Sequence, residues 1–207
     1  MVSDSRYIWR QLGPKQREEL LSWRRERSLP WHSPPHRENF GQLQFLLTAA
    51  CYEHRPCIGY TTRRMEDFSK DLLENLSCVS RRIFAWCVLP NHYHVLVETS
   101  DIMKLLGVVG RFHGRTSYAW NGQENLRGRK VFFRAVERSI RSDRHFWATM
   151  NYIHHNPVHH GYVMKWTEWP WSSAKQYLQE TDPVIAKETW RQYPIADYGR
   201  KWDKPDL

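Results

Sequence analysis

Apolar residues recur along this chain with two periods, and the switches between them lay out its elements. Gln44 to Cys51, QFLLTAAC, is an apolar run of strand length. From an N-cap at Thr62, Met65, Phe68, Leu72, Leu76 and Val79 return at intervals of three and four, the spacing of a helix with one buried stripe. Arg82 to Glu98, RIFAWCVLPNHYHVLVE, reads as two strands joined at Leu89-Pro90-Asn91. In the first of them Ile83, Ala85, Cys87 and Leu89 alternate with Phe84, Trp86 and Val88, so both faces are apolar and the strand belongs in the middle of a sheet. Ser100 caps a second helix, with Ile102, Leu105, Leu106, Val109 and Phe112 inward and Gly107 and Gly110 weakening it. Phe132 to Ile140 is a weaker strand, at an edge, and Ser142 and Asp143 open a third helix that Pro157 ends.

Strand, helix, strand, strand, helix, strand, helix suits an α+β fold, an antiparallel sheet with helices on one face. The flanks differ from this domain at 41–178. Residues 1–40 form a basic N-terminal extension: Pro14 to Arg27 is helix-competent, and the proline-rich LPWHSPPHR then breaks regular structure. At the other end, Trp169-Pro170-Trp171 turns into a short helix. Residues 179–207 form a tail that, from Asp182 on, carries Pro183, Pro194 and Pro205 and is expected to be extended.

The hairpin carries the first candidate chemistry. Alternation puts His92, His94 and Leu96 on one face and Tyr93, Val95 and Val97 on the other. With 11 histidines in 207 residues, about 0.6 His-x-His pairs arise by chance, so the pair alone decides nothing. The third helix adds to it. With Phe146 at zero and about 100° per residue, Met150 and Ile153 fall near the same side and define the buried stripe, whereas Tyr152 and Asn156 fall together on a flank. A phenol and a carboxamide then face a common space.

Charge supplies the partner. A net charge of +9 and a pI near 9.5 favour a polyanion, and 11 Trp and 10 Tyr offer surfaces on which bases stack. Arg111, Arg115, Arg129 and Lys130 gather around a polar loop, Asn121 to Gly128, expected to be mobile and close to nucleic acid. Arg134, Arg138, Arg141 and Arg144 flank the third helix as further phosphate contacts. Cys51, Cys57, Cys78 and Cys87 have no C-x-x-C spacing and are expected to be reduced core thiols. No apolar run reaches about 18 residues, so the expectation is a soluble protein of the cytoplasm, associated with the nucleoid and with no membrane partner. His154, His155, His159 and His160 crowd the same region without being assigned a role; His155 is read as a solvent-facing histidine of the helix end, the alternative being a proton shuttle at the site.

If the third helix crosses near the hairpin, His92, His94 and Asn156 supply two nitrogens and one oxygen to a cation beside Tyr152. Such mixed ligation with open positions suits Mg²⁺, Mn²⁺ or a similar ion bound to substrate phosphate. A phenol ionises only near pH 10, so its attack on phosphorus needs that cation or a base; the product is a phosphotyrosine that stores the energy of the cleaved diester.

PNHYHVLVE at 90–98, MNYIHHNPVHHGYV at 150–163 and WPWSS at 169–173 together resemble the REP-associated tyrosine transposases, a branch of the single-tyrosine HUH transposases. The joint occurrence of a hairpin His-x-His and a helical Tyr-x-x-x-Asn-Pro, in that order, is far more specific than either alone. The resemblance implies a ferredoxin-like sandwich, His92 and His94 as the metal pair, Tyr152 as nucleophile and Asn156 as third ligand. It further implies an endonuclease and strand transferase that cleaves single-stranded DNA at hairpin-forming repeats, leaving a 5′-phosphotyrosine and a free 3′-OH, as a monomer or homodimer. Phe132-Phe133-Arg134 departs from the Trp-Gln-containing segment common in relatives. The alternative is a domesticated protein that binds hairpin DNA without cutting it.

Overall fold

A computed structural model describes residues 13–26, 43–195 and 198 of the chain. Two compact units divide at Phe40 and Gly41. In the first, the described residues form one helix, α1 (Pro14–Glu26), in which Trp23 is exposed. The Arg37 end of the basic extension lies outside the described residues.

In the second unit β1 (Gln44–Ala50) leads through two short helical turns to α2 (Thr62–Ser77), then to β2 (Arg82–Val88), β3 (His92–Glu98), α3 (Ile102–Gln123), β4 (Val136–Ser139) and α4 (Asp143–His159). The sheet is antiparallel throughout, ordered β2-β3-β1-β4. Two β-α-β units interleaved in that order are the ferredoxin-like sandwich. The helices start where side chains satisfy exposed N–H groups. Thr61 accepts from Arg64 N–H, Asp101 from Lys104 N–H and Ser142 from His145 N–H. The first two caps are neighbours of the residues expected, Thr62 and Ser100.

The helices occupy both faces of the sheet rather than one. Tyr93 points toward α2 and α3, its ring 5.9 Å from Phe68 and its hydroxyl 3.0 Å from His113 Nε2. His94, the next residue, points the other way and meets Tyr152 of α4, ring centroids 5.1 Å apart. β3 is buried along almost its whole length because each of its faces is covered. Phe68 anchors the α2–α3 side, with Phe112, Trp120 and Phe132 rings 5.1 to 5.8 Å away; burying such rings contributes about 2–3 kcal/mol each.

Further expectations are corrected. β2 lies at an edge, and its apolar character reflects a cover: Val88 N–H donates to Trp171 O, Ser173 N–H to Trp86 O and Trp169 Nε1–H to Val88 O. The glycines do not interrupt α3, which runs to Gln123. The Asn121–Gly128 segment is tied down, with Glu124 bridging Arg64 at 2.7 Å and Arg129 at 2.8 Å, and Asn121 bonded to Arg129 at both ends of its amide. Pro157 sits inside α4, two residues before its end, and lacks the N–H for its own ladder bond. After α5 (Ala174–Glu180), the segment expected to be extended forms α6 (Pro183–Gln192), because Asp182 accepts from the N–H groups of Val184 and Ile185 and proline suits a first turn. All four cysteines are free, three buried and Cys78 exposed.

Candidate active site

The hairpin tip is fixed before any chemistry is placed on it. Leu89 N–H closes the turn on His92 O, while Pro90 O accepts from Gly59 N–H and Asn91 O from Cys51 N–H. Gly59 is required by this approach: a Cβ there would stand 2.4 Å from Pro90 Cβ and 2.8 Å from its Cα. Register then sets the neighbours, since Thr48 of β1 opposes His94 and Ala50 opposes His92. Antiparallel partners share a face, so Thr48 and His94 stand side by side.

Four residues from β3 and α4 converge below the tip. Asn156 Oδ1 is 3.1 Å from His92 Nε2, and Tyr152 Oη is 3.4 Å from His94 Nε2. The two imidazole centroids are 5.1 Å apart. All four side chains are at least 96% buried. Behind the rings, His92 Nδ1 meets Asn91 Oδ1 at 2.7 Å and His94 Nδ1 meets Thr48 Oγ1 at 2.9 Å. Asn91 in turn donates Nδ2–H to His54 O at 3.3 Å. Glu53 and His54 both have left-handed backbones (φ 57° and 51°), which costs about 1–2 kcal/mol per residue and turns that carbonyl toward Asn91.

The donor set fits a divalent cation. Asn156 Nδ2 is buried with no partner while its Oδ1 faces a ring nitrogen, an orientation that a positive ion favours over the amide alone. His92 Nε2 and Asn156 Oδ1 stand 3.1 Å apart, near enough that both would serve one small cation. Among the described residues no three His, Cys, Asp or Glu side chains cluster.

A protein of Haemophilus influenzae named as a REP-associated tyrosine transposase is 26% identical over 146 residues, spanning 66% of this chain and 81% of its own length. A solved structure of a REP-associated tyrosine transposase bound to a REP hairpin superposes with a TM-score of 0.56 at 19% identity, covering 72% of this chain and 86% of that one. No protein-family model matches the chain. In sequence this chain is similar to one REP-associated tyrosine transposase, and it shares the fold of another.

The basic residues sort by where the fold puts them. Arg138 of β4 pairs with Leu46, which opposes Leu96, so it projects from the same face as His94. Burial holds its pKa below the ordinary value while the Tyr198 and Tyr152 phenols pull it up, which places its guanidinium in their field. Arg138 and Arg141 both help depress the pKa of His145, after burial. Arg144 is exposed on the first turn of α4, and Arg134 is exposed just before β4. Lys130 lies over the rings of Tyr52 and Phe133. Arg129 is engaged by Glu124, whose carboxylate raises its pKa first of all causes, and it serves the fold instead. Arg111 and Arg115 belong to α3, across the sheet from Tyr152, and Arg115 bonds Asn75 of α2.

Of the four helix-end histidines His159 is exposed, His155 and His160 are half-buried and His154 is buried. His154 is 2% exposed, bonded to Ser173 Oγ at 2.9 Å and stacked on Trp166, and burial lowers its pKa to about 3. His155 packs on Trp190, and the His160 ring lies 4.9 Å from that of His92, one further turn of α4 beyond Asn156. Tyr198 is a site residue that sequence reasoning missed. Its ring is 5.4 Å from Tyr152 and its hydroxyl bonds Thr149 and His145. No periodicity marks it, because it lies far beyond the core elements. Among the described residues no helix is long and apolar enough to cross a membrane.

Proposed function

We propose that this protein is a metal-dependent transposase that cuts and rejoins single-stranded DNA at hairpin-forming repeats, with Tyr152 as nucleophile. The reading is supported by one convergence: His92 and His94 from a strand, and Tyr152 and Asn156 from a helix on the far side of the core sequence, close on one buried point. Similarity to REP-associated transposases, one of them solved with a REP hairpin, supports a hairpin-DNA substrate.

His92, His94 and Asn156 hold Mg²⁺ or Mn²⁺, which when bound polarises the scissile phosphate. Tyr152 Oη forms the bond to phosphorus and the 3′ oxygen leaves. Overall, the proton lost by the phenol is gained by that 3′ oxygen. The product is a 5′-phosphotyrosine and a free 3′-OH, and attack of a different 3′-OH reverses the step to join new ends. Arg138 and Arg141, with Arg134 and Arg144 nearby, hold the flanking phosphates. In this reading the protein acts on the nucleoid, as a monomer or homodimer.

A second reading, hairpin binding without cleavage, draws on the 4% exposure of Tyr152 beneath Tyr198. Incubating the protein with end-labelled single-stranded repeat DNA and Mn²⁺ separates the two. The transposase yields an adduct that survives denaturation, is lost in EDTA and is absent from Tyr152→Phe. Equal binding with and without metal, and no nicked product, supports the second reading instead.

A further inference from the structure

We propose that Asn91 is a positioning residue that locks His92 into the tautomer with its hydrogen on Nδ1, and that Thr48 holds His94 through a reversible contact. The inference rests on the proposed metal site and assigns what orients it. The argument runs from an atom that has no choice. The carbonyl of His54 only accepts, so the Asn91 amide must turn Nδ2 toward it, as the 3.3 Å contact has it. Oδ1 is then the Asn91 atom that faces His92 Nδ1 at 2.7 Å. An amide oxygen also only accepts, so Nδ1 carries the hydrogen and Nε2 carries none. Nε2 faces Asn156 Oδ1 at 3.1 Å, and two atoms that only accept do not bond each other; the Asn156 amide, whose Nδ2 has no partner, can turn Nδ2–H to the bare Nε2 when no cation is bound, whereas the Asn91 amide is committed to His54 O.

Every link in this chain is held. Asn91 is 4% exposed and His92 2% exposed, so water does not substitute for either partner. The amide is held at both ends, by His54 O on Nδ2 and His92 Nδ1 on Oδ1, and its backbone is fixed by Cys51 N–H. His94 differs. Its Nδ1 partner is a hydroxyl, Thr48 Oγ1 at 2.9 Å, which donates or accepts with equal ease. His94 therefore keeps access to both tautomers, one presenting a lone pair at Nε2 and the other an N–H toward Tyr152 Oη, 3.4 Å away. One imidazole is a fixed donor and its neighbour is an adjustable one beside the nucleophile.

Long-range ¹⁵N NMR of the full-length protein with labelled histidine reads the tautomers directly, and Mn²⁺ binding followed by electron paramagnetic resonance reads the site without turnover. We expect wild-type His92 to carry its hydrogen on Nδ1 in the metal-free protein. Asn91→Asp retains an acceptor oxygen and should keep that tautomer and Mn²⁺ affinity within a few-fold. Asn91→Leu removes the acceptor, so the Nδ1–H form should lose its dominance and Mn²⁺ affinity should fall about 10–100-fold. Thr48→Val should lower affinity less than Asn91→Leu. A wild-type His92 with its hydrogen on Nε2 overturns the proposal whether or not any variant folds, as does an Asn91→Leu protein with unchanged tautomer and affinity. Absence of Mn²⁺ binding by wild type with the Nδ1 tautomer in place would instead count against the metal site and leave the assignment of Asn91 standing.

Discussion

Tyr152 Oη lies 3.4 Å from His94 Nε2 although 58 residues separate the two in the chain. The ring of Tyr152 fills core space and its hydroxyl makes the polar contact, so the two parts can be separated experimentally. Tyr152→Phe keeps the ring and should change stability by only about 1 kcal/mol, the net worth of one hydrogen bond. The same variant should form no covalent DNA adduct. A Tyr152→Phe protein that unfolds at least 10 °C lower would show that the phenol serves chiefly the fold.

Gly59 controls the same site from outside it. Its N–H holds Pro90 O at 2.9 Å, and any Cβ there collides with the Pro90 backbone and ring. Gly59→Ala must push the turn away and carry Asn91 and His92 with it. We expect a loss of about 1–3 kcal/mol in urea unfolding together with weaker Mn²⁺ binding; retention of both would mean that the turn yields without moving the histidines.

Much of this was legible in the sequence. The stripe Met65, Phe68, Leu72, Leu76 is the buried face of α2, and the flank shared by Tyr152 and Asn156 is the face that α4 turns toward the hairpin. What the pattern could not carry was pairing between distant segments. Thr48 is a polar residue in an apolar run until β1 pairs with β3 and sets it beside His94, 46 positions away. The face on which α4 packs is likewise a tertiary choice, because a strand apolar on both sides accepts a helix on either. Arg129 reads in sequence like its neighbours Arg127 and Lys130, and only the fold brings Glu124 to it.

That difference among the arginines is testable. Arg138→Ala removes a cation from the face of Tyr152 and should weaken single-stranded DNA binding, lowering the slope of log K against log salt by about 0.7. Arg129→Ala should leave that slope unchanged and destabilise the fold by about 1–3 kcal/mol, since Glu124 loses one of its two charged partners. Titrating both variants with labelled DNA at several salt concentrations, beside thermal melts, checks the contrast. Equal slopes for Arg138→Ala and wild type would remove Arg138 from the DNA path.

His113 gives the core a pH dependence. It is 7% exposed, bonded to Tyr93 Oη and stacked on Phe132, and burial lowers its pKa to about 4 from an ordinary 6.5. Below 6.5 the unfolded chain takes up a proton there that the folded chain refuses, so stability is full above that pH and falls as pH drops toward 4. The loss from this residue should reach on the order of 3 kcal/mol near pH 4. Melting temperatures between pH 7 and 4 should fall less steeply for His113→Gln than for wild type, and parallel slopes would place the sensitivity elsewhere.

Tyr198 bears on access to the nucleophile. Its ring lies against Tyr152, and its hydroxyl is anchored by Thr149 Oγ1 at 2.5 Å and His145 Nε2 at 3.1 Å. With Tyr152 only 4% exposed, a phosphodiester reaches its oxygen only when something moves. Tyr198 is the cover that must shift, because it belongs to neither the sheet nor α4 and its ring lies against those of Tyr152 and His145. Removing the ring in Tyr198→Ala uncovers the phenol, whereas Tyr198→Phe keeps the cover and loosens its anchor. Adduct formation with single-stranded hairpin DNA should therefore be fastest in Tyr198→Ala, intermediate in Tyr198→Phe and slowest in wild type. The opposite order would make Tyr198 a support that holds Tyr152 in its reactive position.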